Sequence, residues 1–151
     1  MGRQKVQLLA LAGSLGLLLG ALAFEHIGGM APCPLCIWQR WPHVVALLGV
    51  GALFLPPLPF AVLGAGGAAT SGGIGVYHTG VERGWWPGPS TCAAGDVSGL
   101  SPEELLAQIM SAPVVRCDEV PWEMLGLSMA SWNAVASFGI AALWLATLRL
   151  R

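Results

Sequence analysis

The chain has 151 residues, enough for one domain, and 55% of them are hydrophobic while only 10% are charged. A soluble domain carries about 25% charged residues. Together with a mean hydropathy of +0.68, this composition excludes a water-soluble globular protein and predicts a membrane protein.

Three long stretches contain no Asp, Glu, Lys or Arg: residues 6–24, 41–81 and 124–148. A membrane-spanning helix needs about 20 apolar residues. The middle stretch is long enough for two helices, with Pro56-Pro57-Leu58-Pro59 as the turn between them. We therefore predict an all-α membrane protein, a four-transmembrane-helix bundle forming a single domain over 1–151. The predicted spans are approximately 6–24, 37–55, 60–79 and 126–148.

The first span carries two local signals. Ala12, Gly16 and Gly20 recur every four residues, and such a stripe of small residues favours close helix packing. Arg3 and Lys5 followed by an apolar run also resemble a cleavable signal peptide, but the run is longer than usual for one. We therefore expect this segment to remain as a helix.

The basic residues predict the orientation. Four of the seven Lys and Arg residues flank the first and last spans, which places both termini in the cytoplasm. The segment 80–125 has two arginines against seven acidic residues, as expected for an outer loop. All four cysteines then lie outside the membrane, in outer loops 25–36 and 80–125, where disulfides form and persist. The cysteines are Cys33, Cys36, Cys92 and Cys117.

The first outer loop ends in Cys33-Pro34-Leu35-Cys36. Cys36 lies at the expected start of the second span, and a helix N-terminus favours a thiolate, the reactive form of cysteine. Arg40 lies one turn further along, on roughly the same face, and adds a positive charge. An arginine at a membrane boundary often only reaches for lipid headgroups. Beside this cysteine we favour a functional role, and we expect Cys36 to have the lower pKa.

The third span is rich in glycine, which suits close backbone approach within a bundle. His78 lies at its outer end, at a depth comparable with that of Arg40. A lone histidine there is more often structural, and His78 becomes a candidate because it shares the level of the cysteine pair. In the second loop, Ser101-Pro102-Glu103-Glu104 predicts a helix start with a capping box.

Three interpretations of the four cysteines compete. Two structural disulfides in a non-catalytic membrane scaffold would explain the even number, but a bond between Cys33 and Cys36 would restrict little chain entropy. A zinc site usually combines two closely spaced pairs, and this chain has one. A redox role fits best: one pair meets a soluble partner and the other meets a membrane-soluble electron acceptor, commonly a quinone.

These features resemble the DsbB family of bacterial inner-membrane oxidoreductases, which reoxidise the periplasmic thiol oxidase DsbA with quinone. The resemblance covers nearly the whole chain, and Gln39 is a departure from the family pattern. It rests on the four spans, the Cys-x-x-Cys pair with Arg40 four residues later, His78, the Pro-rich approach to Cys92, Cys117, and Leu125-Gly126-Leu127-Ser128-Met129.

The resemblance implies the following roles. Cys92 and Cys117 form the loop disulfide, and the partner's thiolate attacks Cys92. Cys33 and Cys36 form the quinone-proximal pair, with Cys36 and Arg40 at the quinone ring and His78 close by. The implied cofactor is ubiquinone or menaquinone, and the implied partners are a periplasmic DsbA-like thiol oxidase of thioredoxin fold, the membrane quinone pool and the lipid bilayer. Neither a nucleic acid nor a metal ion is expected.

Overall fold

The computed structural model describes residues 2–89, 101–111 and 115–150, and this part of the chain is mostly helical, as predicted. Cys92 therefore lies outside the described residues. The elements are α1 (Arg3–His26), α2 (Pro34–Leu47), a 3₁₀ helix (Leu48–Leu53), α3 (Pro57–Glu82), α4 (Pro102–Ser111), β1 (Glu123–Met124), β2 (Leu127–Ser128) and α5 (Met129–Thr147).

The four longest helices pack in a ring, in which α1 contacts α2 and α5, and α3 contacts the same two helices from the other side. A core of small side chains closes around Trp144, which is fully buried on α5. Gly49 and Gly64 leave room for this ring, because a Cβ atom at either position would lie within 2.6 Å of it. Glycine at these two positions lets the helices close around one large aromatic side chain.

Among the described helices, α1 and α5 are long and apolar enough to cross a membrane. Large apolar side chains also cover much of the outer surface, including Leu19 at 56% exposure and Val135 at 59%. An apolar surface this broad suits contact with lipid rather than water. That all four long helices span the membrane, with the cysteine loops outside, stays a prediction.

The second predicted span differs from the structure at both ends. The helix begins at Pro34, not near Ile37, because proline suits the first helical position and the Cys33 side chain caps the end. It changes to a 3₁₀ helix at Leu48. Two glycines within three residues, Gly49 and Gly51, weaken the α-helix there.

The glycines of α3 bring backbones together, as predicted. A Cβ atom at Gly67 would lie 2.6 Å from Pro42 O of α2, and one at Gly75 would lie 3.0 Å from Ala130 O of α5. The prediction that the small residues of α1 pack closely against another helix is wrong for Gly16 and Gly20. A Cβ atom at either would meet nothing within 4 Å, since both residues line a cavity.

The short outer helix α4 begins as the sequence predicts. The Ser101 backbone N–H donates to Glu104 Oε2 at 2.8 Å, and the Glu104 backbone N–H donates to Ser101 Oγ at 3.3 Å. This reciprocal pair is the capping box.

Candidate functional site

The close cysteine pair forms the first turn of α2. Cys33 is the N-cap residue, and its Sγ accepts the backbone N–H of Cys36 at 3.2 Å. The two sulfur atoms lie 2.9 Å apart, and both residues are free thiols. Because Pro34 starts the helix, the two cysteines form its N-terminal end. A free backbone N–H of this first turn, that of Cys36, donates to Cys33 Sγ.

The two thiols differ in acidity, and both lie before the predicted span. The Cys33 thiol donates to Cys36, and this bond together with burial raises the pKa of Cys33. The same bond lowers the pKa of Cys36; burial opposes this effect and the positive charge of Arg40 adds to it. The direction agrees with the prediction from sequence that Cys36 holds the thiolate.

Cys117, from the segment after α4, lies close to Cys33. Cys117 is fully buried and disulfide-bonded. The sulfurs of Cys33 and Cys117 and a ring nitrogen of His78 all lie within 4.8 Å of one another. Such a trio could hold a metal ion only with Cys117 as a thiolate, and the disulfide commits its sulfur elsewhere. The arrangement therefore suits exchange between sulfur atoms.

His78 lies against the cysteine pair rather than at the cavity described below. Its Nε2 is 3.5 Å from Cys33 Sγ, and its Nδ1 is 2.9 Å from Gln39 Nε2. A buried carboxylate faces the same Nε2, with Glu82 Oε1 at 3.8 Å, and Ser128 donates to the other oxygen of Glu82. A role for Glu82 was not predicted from the sequence. Its position four residues after His78 was the available signal, since this spacing puts both side chains on one helix face.

A cavity of about 400 Å³ opens between α1, α2 and α5, beside the close cysteine pair. Most of its wall is apolar and includes Phe24 and Trp122, whose ring centroids are 5.4 Å apart. Its polar lining residues are Cys36, Gln39, Arg40, His43 and Asn133. The structure thus places two predicted site residues, Cys36 and Arg40, on one cavity, and His78 is not among the described residues that line it.

Arg40 is held on one side only. Its Nη1 donates to Glu25 Oε2 at 2.5 Å. Its Nε is buried and has no hydrogen-bond partner within the described residues. The Arg40 side chain as a whole lines the cavity, so its positive charge lies beside any ligand bound there. A role for Glu25 was not predicted from the sequence, because its partner Arg40 lies in a different helix and no local pattern links the two residues.

A chain of buried polar side chains continues from the site into the bundle. Asn133 Nδ2 donates to Gln39 Oε1 at 2.7 Å, and Ser137 Oγ donates to Asn133 Oδ1 at 3.4 Å. His43 lies between two serines, with Nε2 3.0 Å from Ser137 Oγ and Nδ1 3.3 Å from Ser14 Oγ. A polar residue inside a predicted span is a signal of function. Asn133, Ser137, His43 and Ser14 all lie inside such spans, but none of them was among the residues predicted from the sequence.

Comparisons with known proteins agree with this geometry. Residues 3–147 match the family model described as disulfide bond formation protein DsbB. A disulfide bond formation protein B of Dechloromonas aromatica is 31% identical over 139 residues, covering 86% of this chain and 82% of the relative. The protein of that name from Methylococcus capsulatus is 34% identical, covering 83% and 82%. Another from Shewanella amazonensis is 33% identical, covering 83% and 78%.

Proposed function

Since the chain belongs to the family of disulfide bond formation protein DsbB, we propose that it reoxidises a DsbA-like dithiol oxidase of thioredoxin fold and passes the electrons to a membrane quinone. Its general role as a membrane thiol oxidoreductase of disulfide bond formation follows from the family. The partner, the quinone and the electron path belong to the proposal. One observation carries the path: the Cys33 sulfur lies 2.9 Å from the sulfur of Cys36 and within 4.8 Å of the sulfur of Cys117.

The electrons enter at the loop pair. A thiolate of the reduced partner attacks Cys92, the Cys92–Cys117 bond breaks, and Cys117 leaves as a thiolate. The partner's second thiolate then attacks its own mixed-disulfide sulfur and releases Cys92. The partner is now a disulfide, and the loop pair holds the two electrons.

The electrons next reach the close pair when it is in its disulfide form. The Cys117 thiolate attacks Cys33 Sγ, the Cys33–Cys36 bond breaks, and Cys36 leaves as a thiolate. Cys92 then attacks Cys117, reforms the loop disulfide and displaces Cys33, which takes up a proton given up by the partner's thiols. A sulfur whose thiolate is stabilised leaves readily, and the positive charge of Arg40 stabilises a thiolate on Cys36.

The cavity beside Cys36 suits a quinone. An apolar cavity of about 400 Å³ fits a flat ring with part of an isoprenoid tail. Arg40 lines this cavity, and its guanidinium offers a positive charge and N–H donors to a quinone oxygen. A bound quinone supplies a two-electron, two-proton acceptor. Cys36 presents the sulfur that gives up the electrons, and Arg40 stabilises negative charge that develops on the acceptor. Ubiquinone and menaquinone both satisfy this description.

The topology follows from the same proposal. All four long helices cross the bacterial inner membrane, both termini are cytoplasmic, and the cysteine loops lie in the periplasm. Basic residues at the two chain ends and acidic residues in the segment 80–125 support this orientation. A periplasmic position gives the loop pair access to a soluble partner and keeps the close pair near the quinone pool.

The test is a coupled assay with the purified full-length protein in detergent. Reduced DsbA-like oxidase and a soluble ubiquinone analogue are added, and quinone absorbance is followed. We expect catalytic loss of the quinone signal that disappears in Cys36→Ser and Cys92→Ser. If ubiquinone gives no signal, the same assay with menaquinone is decisive. Silence with both would leave a non-catalytic scaffold with structural disulfides.

A further inference from the structure

Gln39 lies at the centre of a buried hydrogen-bond cluster and is itself only 6% exposed. Its Nε2 lies 3.1 Å from Leu35 O and 2.9 Å from His78 Nδ1. Its Oε1 lies 2.7 Å from Asn133 Nδ2. Both hydrogens of the Gln39 amide are therefore used, one by Leu35 O and one by His78 Nδ1, and its oxygen is used by Asn133.

Two backbone carbonyls fix the direction of these bonds, because a carbonyl oxygen only accepts. Leu35 O requires the nitrogen of the Gln39 amide on its side. Gln39 O takes the hydroxyl hydrogen of Ser71 at 2.9 Å, so Ser71 Oγ accepts from Asn133 Nδ2 at 3.1 Å. Asn133 then has one hydrogen left for Gln39 Oε1. A flipped Gln39 amide would lose its bonds to both Leu35 and Asn133.

This orientation determines the protonation of His78. The second hydrogen of the Gln39 amide points at His78 Nδ1, which must accept it. An imidazole that accepts at Nδ1 is neutral and carries its own hydrogen on Nε2. Three acceptors share that hydrogen: Cys33 Sγ at 3.5 Å, Glu82 Oε1 at 3.8 Å, and the backbone carbonyl of Cys117, to which His78 also donates. A negative charge on Cys33 would make its sulfur the strongest of them.

We propose that Gln39 is a positioning residue that holds His78 as the neutral Nε2–H tautomer, so that its ring donates a hydrogen bond to Cys33 when this sulfur leaves as a thiolate. The inference rests on the proposed function, because the step is the attack of Cys92 on a Cys33–Cys117 disulfide. The Cys92–Cys117 bond forms, the Cys33–Cys117 bond breaks, and the electron pair goes to Cys33. A donor already in place stabilises that charge without reorganisation.

The first test measures the tautomer itself and needs no activity. Full-length protein in detergent is labelled with ¹⁵N at the histidine ring nitrogens, and the His78 signals are assigned by their loss in His78→Asn. We expect a protonated Nε2 and an unprotonated Nδ1. In Gln39→Glu, a carboxylate oxygen faces Nδ1, so the hydrogen should move to Nδ1 or both nitrogens should be protonated. A protonated Nδ1 in the unaltered protein would overturn the inference.

The second test measures electron transfer without quinone. The oxidised protein is mixed with reduced partner, quenched with acid, and assayed for new thiols at Cys33, which appear only when the Cys33–Cys117 bond breaks. Losing a hydrogen bond to a charged sulfur slows a step by about tenfold or more, so Gln39→Met, which removes the donor to Nδ1, should show that loss. Gln39→Glu should show it where the hydrogen has moved to Nδ1, and should keep the rate where both nitrogens are protonated, because Nε2 then still donates. Ser137→Ala is the control, since it interrupts the polar chain below Asn133 and leaves Gln39 and His78 in place.

The two tests separate this inference from the proposed function. If the unaltered protein transfers no electrons, the proposed function fails, while the ¹⁵N signals still decide the tautomer. If it transfers electrons and Gln39→Met matches its rate, the positioning role is wrong. If Ser137→Ala loses as much as Gln39→Met, the effect belongs to general packing of the bundle, which also overturns the positioning role.

Discussion

Arg40 donates from Nη1 to Glu25 Oε2 at 2.5 Å, and this ion pair joins the outer end of α1 to the outer turns of α2 beside the cavity. The two side chains are 21% and 27% exposed. On the buried side, Arg40 Nε has no partner among the described residues. Glu25 therefore orients the guanidinium of a side chain that lines the cavity.

Replacing Arg40 by Met should weaken quinone binding. The variant keeps an unbranched apolar stem but loses the charged donor, and a hydrogen bond to a charged group contributes about 1.5–3 kcal/mol. The quinone concentration for half-maximal turnover should rise about tenfold or more. Exchange of thiols with the reduced partner, measured without quinone, should stay intact.

The matched control for this variant is Arg149→Met. It removes the same charge at the opposite end of the bundle, just after α5, and should leave the quinone dependence unchanged. An Arg40→Met protein with unaltered quinone dependence would reject Arg40 as a quinone contact.

Two substitutions at Glu25 should behave differently. Glu25→Ala removes the acceptor that orients Arg40, so quinone binding should weaken by roughly 2- to 10-fold, the usual range for one hydrogen bond. Glu25→Gln keeps an acceptor oxygen and removes the opposing charge, so binding should stay equal or become tighter. Titration of turnover against quinone concentration checks both. Equal weakening in the two variants would mean that the charge, rather than the position, is what Glu25 supplies.

The reduced close pair should react with alkylating agents at one sulfur first. The pKa of Cys36 is lowered, so it stays a thiolate as the pH falls below the ordinary range of a thiol, whereas the pKa of Cys33 is raised and it stays protonated. Mass spectrometry after brief iodoacetamide treatment should locate the label on Cys36. In Cys33→Ala the donor is lost, and the rate profile of Cys36 should move to higher pH. Early labelling of Cys33 would contradict this order.

Replacing Cys117 by Ser should trap the partner. In this variant Cys92 is a free thiol, so it attacks the disulfide of the oxidised partner, whose second cysteine leaves as a thiolate. No Cys117 thiol is present to attack Cys92 and release the partner, so the covalent complex should accumulate on non-reducing gels. Cys36→Ser serves as the control, because it leaves the loop pair complete. A complex that runs through Cys33 instead would reverse the assignment of the two pairs.

The sequence predicted the features that depend on local pattern. The helical segments and the capping box at Ser101 follow from residues close together in the chain, and the structure has both. The hydrogen bond from Cys33, three residues earlier, lowers the pKa of Cys36 in the direction that the sequence predicts. The contacts made by Glu25 and Gln39 join residues 15 and 39 positions apart. Their partners depend on how the helices pack, which no local pattern records.

The glycines of α1 illustrate the same limit. Gly16 and Gly20 have the spacing of a packing stripe, but they line the cavity, while Gly13 lies against Ile140. Spacing identifies a face made of small residues. Whether another helix or a ligand occupies that face depends on the neighbouring helices.

Two adjacent glycines of α3 should respond in opposite ways to the same substitution. A Cβ atom at Gly67 would lie 2.6 Å from Pro42 O and 2.9 Å from Ala46 N, and backbone atoms cannot move aside as a side chain would. Overpacking of this kind costs about 1–3 kcal/mol, so Gly67→Ala should lower the midpoint of thermal unfolding in detergent. It should also shift α2, which carries Cys36 and Arg40, and therefore reduce turnover.

Gly66→Ala is the matched control, since a Cβ atom there meets nothing within 4 Å. Alanine favours a helix over glycine by roughly 0.5–1 kcal/mol, so this variant should unfold at the same or a higher temperature and keep its activity. If both variants lost stability equally, helix propensity or lipid contact would govern this face. If neither did, the close approach of α2 and α3 at Gly67 would not be a constraint on the fold.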